Sequence, residues 1–297
     1  MTSKSKGHNR GVKRPARRRT WWLAAAAAVV AVVLAALVVT RLSGPSGQVP
    51  WTRFGSEDVH SLAFVGEDPQ HLLFGHHGGL EESRDGGRTW SALPVRSDAM
   101  SMSPAADGSI VIAGHEVFVA SRDGGKTWAP IATDLPSLDI HGFTRDPSDP
   151  TRMWAYLATG GLWESTDFGA RFAQVRQDNV LYPMAVRDAS ATRLLGVDAN
   201  GLAASSDGGR TWSALGMPPT FPMTSLAATP DGAVVYAGSP DGLYRSADGG
   251  RTWAKTAYAG SAFAIATSPD GQAVAVVSRE TQLYRSPDAG MSWAGPG

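Results

Sequence analysis

Three short triplets in the first half of the chain combine residue types that bind metals or transfer protons. They read DVH, DAM and DIH, and they begin at Asp58, Asp98 and Asp139. Residues two apart in an extended strand point to the same side, so each Asp would lie beside the following His or Met. Imidazole and carboxylate groups bind Zn²⁺ and related metals without cysteine, and a thioether ligand favours copper. Where the triplets meet, the sequence is therefore compatible with a metal site, a general acid–base site, a site for a non-metal ligand, or a structural polar channel mouth without a ligand.

Two further segments supply histidines. FGHHGG contains His77 and AGHEVF contains His115, and both segments follow a short apolar run. Glu116 comes directly after His115. The expected metal ion is Zn or Cu, and its candidate ligands are His60, His77, His115 and His141. The wider set of candidate ligand-binding residues adds Asp58, Asp98 and Asp139.

A repeat determines how these residues are arranged. The segment SADGGRTW recurs in six versions, and we call each version a box. The boxes begin at Ser83, Ser121, Ser165, Ser205, Ser246 and Ser286, at intervals of 38 to 44 residues. A repeat of about 40 residues with several short apolar runs fits a blade of four strands. The sequence therefore predicts an all-β fold, a six-bladed β-propeller of four-stranded antiparallel blades over residues 51–297.

The box has a structural explanation that requires no ligand. Its Asp side chain can accept backbone N–H bonds and hold a tight turn. The following Gly adopts positive φ at little cost, and the Trp packs against neighbouring sheets. The boxes at Ser165 and Ser286 are imperfect copies. We expect a scaffold role for the six box aspartates, Asp85, Asp123, Asp167, Asp207, Asp248 and Asp288.

Superposing the repeats predicts which residues share a face. In the first blade, strands are expected at 59–64, 71–76, 79–83 and 90–94, with the box between the third and fourth. Strands in a blade alternate in direction, so the start of the first strand and the end of the second lie opposite the boxes. His71 should lie at the other end of its strand. Five histidines are expected together on the non-box face, namely His60, His76, His77, His115 and His141. The position of His60 is matched in the later blades by Met100, His141, Tyr182, Thr224 and Phe263.

The segment WTRF, from Trp51 to Phe54, precedes the first blade and resembles an outer strand. The last blade ends in WAGPG, which is too short to provide a full outer strand. We expect WTRF to pair with the last blade and help to close the ring.

The N-terminal 50 residues differ from the rest in charge and hydropathy. Residues 1–20 carry eight Lys or Arg and no acidic residue, and the remainder has 19 basic and 27 acidic residues. Residues 21–40 carry no charge and, as a helix, are long enough to cross a bilayer. The positive-inside rule predicts a basic cytoplasmic tail over 1–20, a transmembrane anchor over 21–40, a linker over 41–50 and an extracytoplasmic propeller at the cell membrane. The alternative is secretion after signal cleavage.

Composition excludes several classes of function. The chain has no Cys, which excludes disulfides, thiolate metal sites and a cysteine nucleophile. P-loop, G-x-S-x-G and H-E-x-x-H motifs are absent. The basic tail precedes an apolar segment, which favours a membrane role over nucleic-acid binding. We expect a monomer whose partner is a glycan or a protein.

The boxes resemble a known repeat. The pattern S-x-D-x-G-x-T-W is similar to the Asp-box, or BNR, repeat of sialidases and related bacterial glycosyl-hydrolase-like propellers. It also resembles repeats of sortilin-type receptor domains and of a photosystem II assembly-factor family. With DVHSLAF, FGHHGG and DIHGFTRDPSDP, the chain looks like a subgroup of membrane-anchored or secreted bacterial propellers. The resemblance covers nearly all of residues 51–297 and implies the fold. The Arg-Ile-Pro motif expected of sialidases does not occur, so no sialidase catalytic residue is carried over.

Three functions are compatible with the sequence. The first is a cell-surface binding or assembly module that uses the His/Asp-rich face of blades 1 to 3 for a metal, a glycan or a protein. The second is a glycoside hydrolase with two carboxylates, for which the catalytic candidates are Asp58, Asp139 and Glu116, with Asp98 and Glu280 in the same pool. The third is a purely structural interaction scaffold.

Overall fold

The structure, a computed structural model, describes residues 48–293 except 57, 189–190, 217–219 and 221. These residues form 24 strands arranged in six four-stranded antiparallel sheets. The predicted six-bladed, all-β propeller is therefore confirmed. The predicted tail at 1–20, the predicted anchor at 21–40 and most of the predicted linker lie outside the described residues. Within the described part of the chain, no helix is long and apolar enough to cross a membrane.

The strands follow the order of the repeats. The first strand, β1, is Thr52–Arg53. Blade 1 contains β2 (Ser61–Phe64), β3 (Leu72–His76), β4 (Gly79–Ser83) and β5 (Ser91–Ala92). Blade 2 contains β6 (Ser101–Pro104), β7 (Ile110–Gly114), β8 (Val117–Ser121) and β9 (Ala129–Pro130). Blade 3 contains β10 (Ile140–Arg145), β11 (Met153–Leu157), β12 (Gly161–Ser165) and β13 (Ala173–Arg176).

The second half repeats this arrangement. Blade 4 contains β14 (Leu181–Asp188), β15 (Ala191–Asp198), β16 (Gly201–Ser205) and β17 (Ser213–Gly216). Blade 5 contains β18 (Ser225–Ala228), β19 (Val235–Ser239), β20 (Gly242–Ser246) and β21 (Ala254–Lys255). Blade 6 contains β22 (Ala264–Thr267), β23 (Val274–Val277) and β24 (Gln282–Ser286), and β1 is its fourth strand.

The ring is closed by the start of the propeller. β1 pairs antiparallel with β24, so that Thr52 lies opposite Leu283. The Trp51 N–H donates to the Leu283 carbonyl at 2.8 Å, and the Phe54 N–H donates to the Thr281 carbonyl at 2.9 Å. The predicted pairing of WTRF with the last blade is therefore confirmed.

The apolar core lies in the seams between blades. Six clusters of buried side chains each join two consecutive blades, and one of them joins blade 6 to blade 1. Between blades 1 and 2, for example, Leu73 packs with Ile110 and Ile112, all of them fully buried. Because each blade has a neighbour on both sides, β7 reads IVIAG and is buried along its whole length instead of alternating.

The box forms a hydrogen-bonded turn between the third and fourth strands. In the first box, the Thr89 N–H and Oγ1 donate to the two carboxylate oxygens of Asp85, at 2.9 and 2.6 Å. The Ser83 hydroxyl also donates to Asp85 at 2.8 Å and accepts the Gly87 N–H at 2.7 Å. Trp90 Nε1 donates to the Gly87 carbonyl at 3.1 Å. In every box the Asp is held by the N–H of the residue four positions on.

Candidate functional site

Turns on the non-box face bring the predicted site residues to the blade seams. His77 lies in the turn between β3 and β4, and His115 lies in the turn between β7 and β8. Each turn bonds to the segment that leads into the next blade. The Ala99 N–H donates to the His76 carbonyl at 3.2 Å, and His115 forms a β-bridge with Asp139. The Asp of one triplet therefore lies beside the histidine of the preceding blade.

The first strands of the blades surround a central cavity of about 550 Å³. The residues predicted to share the channel position all line it, namely His60, Met100, His141, Tyr182, Thr224 and Phe263. This agreement confirms the alignment of the six repeats. Three methionines that the sequence analysis did not select, Met102, Met184 and Met223, also line the cavity.

The seam 2–3 cluster consists of His115, Asp139 and His141. Nε2 of His115 and Nε2 of His141 lie 3.0 Å apart. The Asp139 Oδ1 atom lies 3.0 Å from Nε2 of His141 and 3.3 Å from Nε2 of His115. The three side chains are between 36% and 42% exposed, so a ligand from solvent can reach the point where their donor atoms converge.

The seam 1–2 cluster consists of His60, His77 and Asp98. Nε2 of His60 lies 2.9 Å from Nδ1 of His77 and 3.3 Å from the Asp98 Oδ1 atom. Asp58 extends this cluster, because its Oδ2 atom lies 2.7 Å from Nδ1 of His77. We call the two clusters together with Asp58 the histidine face.

Asp98 is the most deeply buried member of the histidine face. The residue is 8% exposed, and neither carboxylate oxygen accepts a hydrogen bond. Its Oδ2 atom nevertheless lies 2.7 Å from Nδ1 of His115 and 3.6 Å from Nε2 of His77. A buried carboxylate without hydrogen bonds is costly unless a positive charge lies close to it. Asp98 therefore favours a positive charge on this face, which a metal ion bound by the neighbouring imidazoles would supply.

Burial favours the neutral form of His60. Burial lowers the pKa of His60, Asp98 acts against this shift, and His77 adds to it. A lowered pKa keeps the imidazole neutral at neutral pH, and the neutral form is the one that binds metals.

Other predicted candidates lie away from the two clusters. Glu116 is exposed, with φ +56°, and its N–H donates to the Leu138 carbonyl at 3.0 Å. Glu280 lies in blade 6, where its Oε2 accepts from Ser261 Oγ at 3.4 Å. His71 lies at the opposite end of β3, as predicted, and its Nε2 contacts Glu82 at 2.8 Å.

The residue that sequence reasoning underestimated is Asp98. The sequence pattern does not distinguish Asp58, Asp98 and Asp139, but Asp58 and Asp139 are about 44% and 42% exposed, and of the three only Asp98 is buried. The channel-lining Met102 could have been found, because it lies two residues after Met100 on the same strand face.

No protein-family profile and no curated protein matches the chain. Solved structures do resemble it, and they are β-propellers. One is YCF48 from Cyanidioschyzon merolae, with 17% identity, a TM-score of 0.51, and coverage of 84% of this chain and 87% of that chain. Another is YCF48 bound to D1 peptide, with 16% identity, a TM-score of 0.50, and coverage of 79% and 95%.

A third similar structure is the GH74 xyloglucanase from Xanthomonas campestris, with 25% identity and a TM-score of 0.50. The alignment covers 77% of this chain but 37% of the xyloglucanase chain. These neighbours support the propeller fold, and they include both a peptide-binding protein and a glycoside hydrolase.

Proposed function

We propose that the protein is a ligand-binding propeller whose histidine face binds a divalent transition-metal ion. The observation that carries the proposal is Asp98, a buried carboxylate that accepts no hydrogen bond and is surrounded by imidazole nitrogens. Four histidines and three carboxylates supply more ligand atoms than one metal ion requires. The metal would present open coordination positions at the mouth of the central cavity.

The ligand of the bound metal would be an anionic group from a peptide or a glycan. The open positions of a bound Zn²⁺ ion accept carboxylate oxygens. We further propose that the boxes are Asp-box repeats and that residues 21–40 anchor the propeller outside the cytoplasm. Fractionation should then place the full-length protein with membranes and residues 44–297 in the soluble fraction.

Metal binding is tested on the full-length protein, purified in detergent with an affinity tag other than polyhistidine. The protein is stripped with a chelator, titrated calorimetrically with Zn²⁺ and Cu²⁺, and assayed for metal by elemental analysis after gel filtration. We expect tight binding that is lost when His60→Ala and His141→Ala are combined, because each cluster then loses an imidazole ligand.

The matched control is His71→Ala, which removes a histidine on the opposite side of the blade. This variant should bind as much metal as the wild type. Equal metal binding by the double variant and the wild type would contradict the site assignment. Melting curves of all three proteins establish that the fold is retained.

Glycoside hydrolysis is the second candidate function, and the similarity to the GH74 xyloglucanase favours it. Asp58 and Asp139 are accessible carboxylates on the histidine face. Under this hypothesis the protein releases reducing ends from xyloglucan, and Asp58→Asn or Asp139→Asn abolishes the release. Metal binding without any turnover of xyloglucan would leave only the first candidate.

A further inference from the structure

We infer that the histidine face holds two divalent transition-metal ions, one in each seam, with Asp98 as the residue that connects them. This inference rests on the proposed function and goes beyond it by assigning separate ligand sets. It also assigns to Asp98 two roles, as a ligand in one seam and as a positioning residue for the other.

The seam 2–3 cluster has the spacing of three ligands on one ion. Metal–ligand bonds of about 2.1 Å separate neighbouring ligand atoms by about 3.0 Å in an octahedral site and about 3.4 Å in a tetrahedral site. The three separations among His115, Asp139 and His141 are 3.0, 3.0 and 3.3 Å. Two imidazoles and one carboxylate on one side of an ion leave the other positions open.

The seam 1–2 cluster has the same composition, but His77 faces its two neighbours with different nitrogens, Nδ1 towards His60 and Nε2 towards the Asp98 Oδ2 atom at 3.6 Å. His60 contributes Nε2, which lies 2.9 Å from Nδ1 of His77 and 3.3 Å from the Asp98 Oδ1 atom. Asp58 lies 2.7 Å from the same His77 nitrogen and adds a fourth candidate ligand. One ion in this seam would replace the hydrogen bond between the two imidazole nitrogens.

Asp98 separates the two clusters and contacts both. Its Oδ1 faces His60, and its Oδ2 lies 2.7 Å from Nδ1 of His115. The other nitrogen of His115, Nε2, is the one that belongs to the seam 2–3 cluster. Asp98 accepts no aligned hydrogen bond from His115 in this structure, but a metal ion on Nε2 would leave the proton on Nδ1, and donation of that proton to Asp98 would fix the orientation of the ring and raise its basicity. A metal ion in either seam would also offset the negative charge that Asp98 buries between them.

The sequence repeats explain why there are two sites and not six. A metal site in a seam requires an Asp at the triplet position of one blade and a His in the turn of the preceding blade. Seam 1–2 has Asp98 and His77, and seam 2–3 has Asp139 and His115. The corresponding triplet positions of blades 4 to 6 contain no Asp-x-His or Asp-x-Met sequence.

The number of metal ions is measured on chelator-stripped, full-length protein by titration with Zn²⁺ and by elemental analysis. We expect two equivalents in the wild type and in His71→Ala. We expect one equivalent in His60→Ala and one in His141→Ala, because each change disables one seam. We expect Asp98→Asn to lose the seam 1–2 ion and to weaken the remaining site by about 10- to 100-fold.

The outcomes distinguish the two-ion inference from the proposed metal-binding function. One equivalent in the wild type that disappears in both single variants indicates a single shared site, which overturns the two-ion inference and leaves the proposed function intact. No bound metal overturns both. If a variant does not fold, wild-type protein loaded with one and then two equivalents of Cu²⁺ is compared by electron paramagnetic resonance. Dipolar broadening that appears with the second equivalent supports two neighbouring ions, and unchanged line widths overturn the inference.

Discussion

At the scale of single residues, the fourth position of the box shows how backbone conformation selects an amino acid. This position is left-handed in every box, with φ +77° at Gly86 and similar values in three other boxes. The imperfect boxes adopt the same conformation without glycine, with φ +60° at Phe168 and +58° at Ala289. The left-handed conformation costs a residue with a Cβ atom about 1–2 kcal/mol.

Replacing Ala289 by Gly should therefore stabilise the protein. We expect Ala289→Gly to raise the free energy of unfolding by about 1 kcal/mol, because the strain of the left-handed alanine disappears. Chemical denaturation of the two proteins measures the difference. The matched control is Ala233→Gly, an exposed turn position outside the left-handed region, which should be destabilised by roughly 0.5–1 kcal/mol. Equal effects of the two changes would contradict the argument.

The sequence predicted the seven residues of the histidine face, but it also placed His76 with them, and Nε2 of His76 lies 3.8 Å from Glu81 and belongs to neither cluster. The period of two in Asp-x-His and the alignment of His77 with His115 were sufficient to place His60 and His141 at the cavity mouth. The burial of Asp98 could not be predicted, because it depends on the turn of blade 1 covering the segment that leads into blade 2. Contacts across a seam leave no periodic signal within either blade.

At the scale of elements, strand boundaries follow the residues that hold the turns. β4 has the predicted bounds of 79–83, since a Gly precedes it and the Ser of the box ends it. The fourth strand was expected at 90–94 but spans only Ser91–Ala92. Trp90 belongs to the turn instead, because its Nε1 donates to the Gly87 carbonyl at 3.1 Å. The strand propensity of tryptophan favours a strand at Trp90, but the hydrogen bonds of the box hold this residue in the turn.

Trp51 and Phe54, which flank the closing strand β1, stabilise the ring through aromatic packing in addition to the strand pairing. Phe54 is 6% exposed and stacks on Phe74 with ring centroids 3.8 Å apart. The guanidinium groups of Arg88 and Arg285 lie 4.6 and 5.1 Å from the ring centroid of Trp51. This strand therefore connects blade 6, blade 1 and the first box.

Deleting residues 51–54 should open the ring and destabilise it strongly. Loss of the buried Phe54 side chain alone costs about 3–5 kcal/mol, and the unpaired edge of β24 adds to this cost. At roughly 2–4 °C per kcal/mol for a domain of this size, the melting temperature should fall by about 10 °C or more. Differential scanning calorimetry measures the change. Deletion of residues 44–47, which has the same length, should leave the melting temperature nearly unchanged, and an equal loss would count against the closing role.

At the scale of the whole molecule, the boxes and the proposed binding residues lie on opposite faces of the propeller. Five boxes lie at the turns between third and fourth strands, and the sixth follows β24, the third strand of blade 6. The histidine face lies at the end of the blades that carries the turns between second and third strands. Substitutions on the histidine face should therefore change binding without unfolding the blades. The repeat pattern made this separation predictable, because consecutive antiparallel strands must place their turns at alternate ends.

The box aspartates should make the whole propeller sensitive to acid. Hydrogen bonds, above all from the Thr of the box, lower the pKa of Asp123 to about 2. Similar contacts lower the pKa values of the other five box aspartates, Asp85, Asp167, Asp207, Asp248 and Asp288. The unfolded-state pKa is about 3.9. A carboxyl whose folded-state pKa is lower than this value stabilises the fold above about pH 4, and this contribution is lost as the pH falls towards the folded-state pKa.

We therefore expect the melting temperature to fall steeply between about pH 4 and pH 2. One variant distinguishes protonation of the box aspartates from general charge repulsion as the cause of this fall. Asp123→Asn removes the titrating group, so it should melt below the wild type at pH 7 and approach the wild type as the pH falls to 2. Asp178→Asn is the matched control, because Asp178 is a surface carboxylate that is 80% exposed and lies outside the boxes. The control should follow the wild type at every pH. A constant difference between Asp123→Asn and the wild type from pH 7 to pH 2 would show that the ionised carboxylate is not what holds the turn. Convergence of the two curves would instead show that ionised box aspartates stabilise the ring on which the histidine face depends.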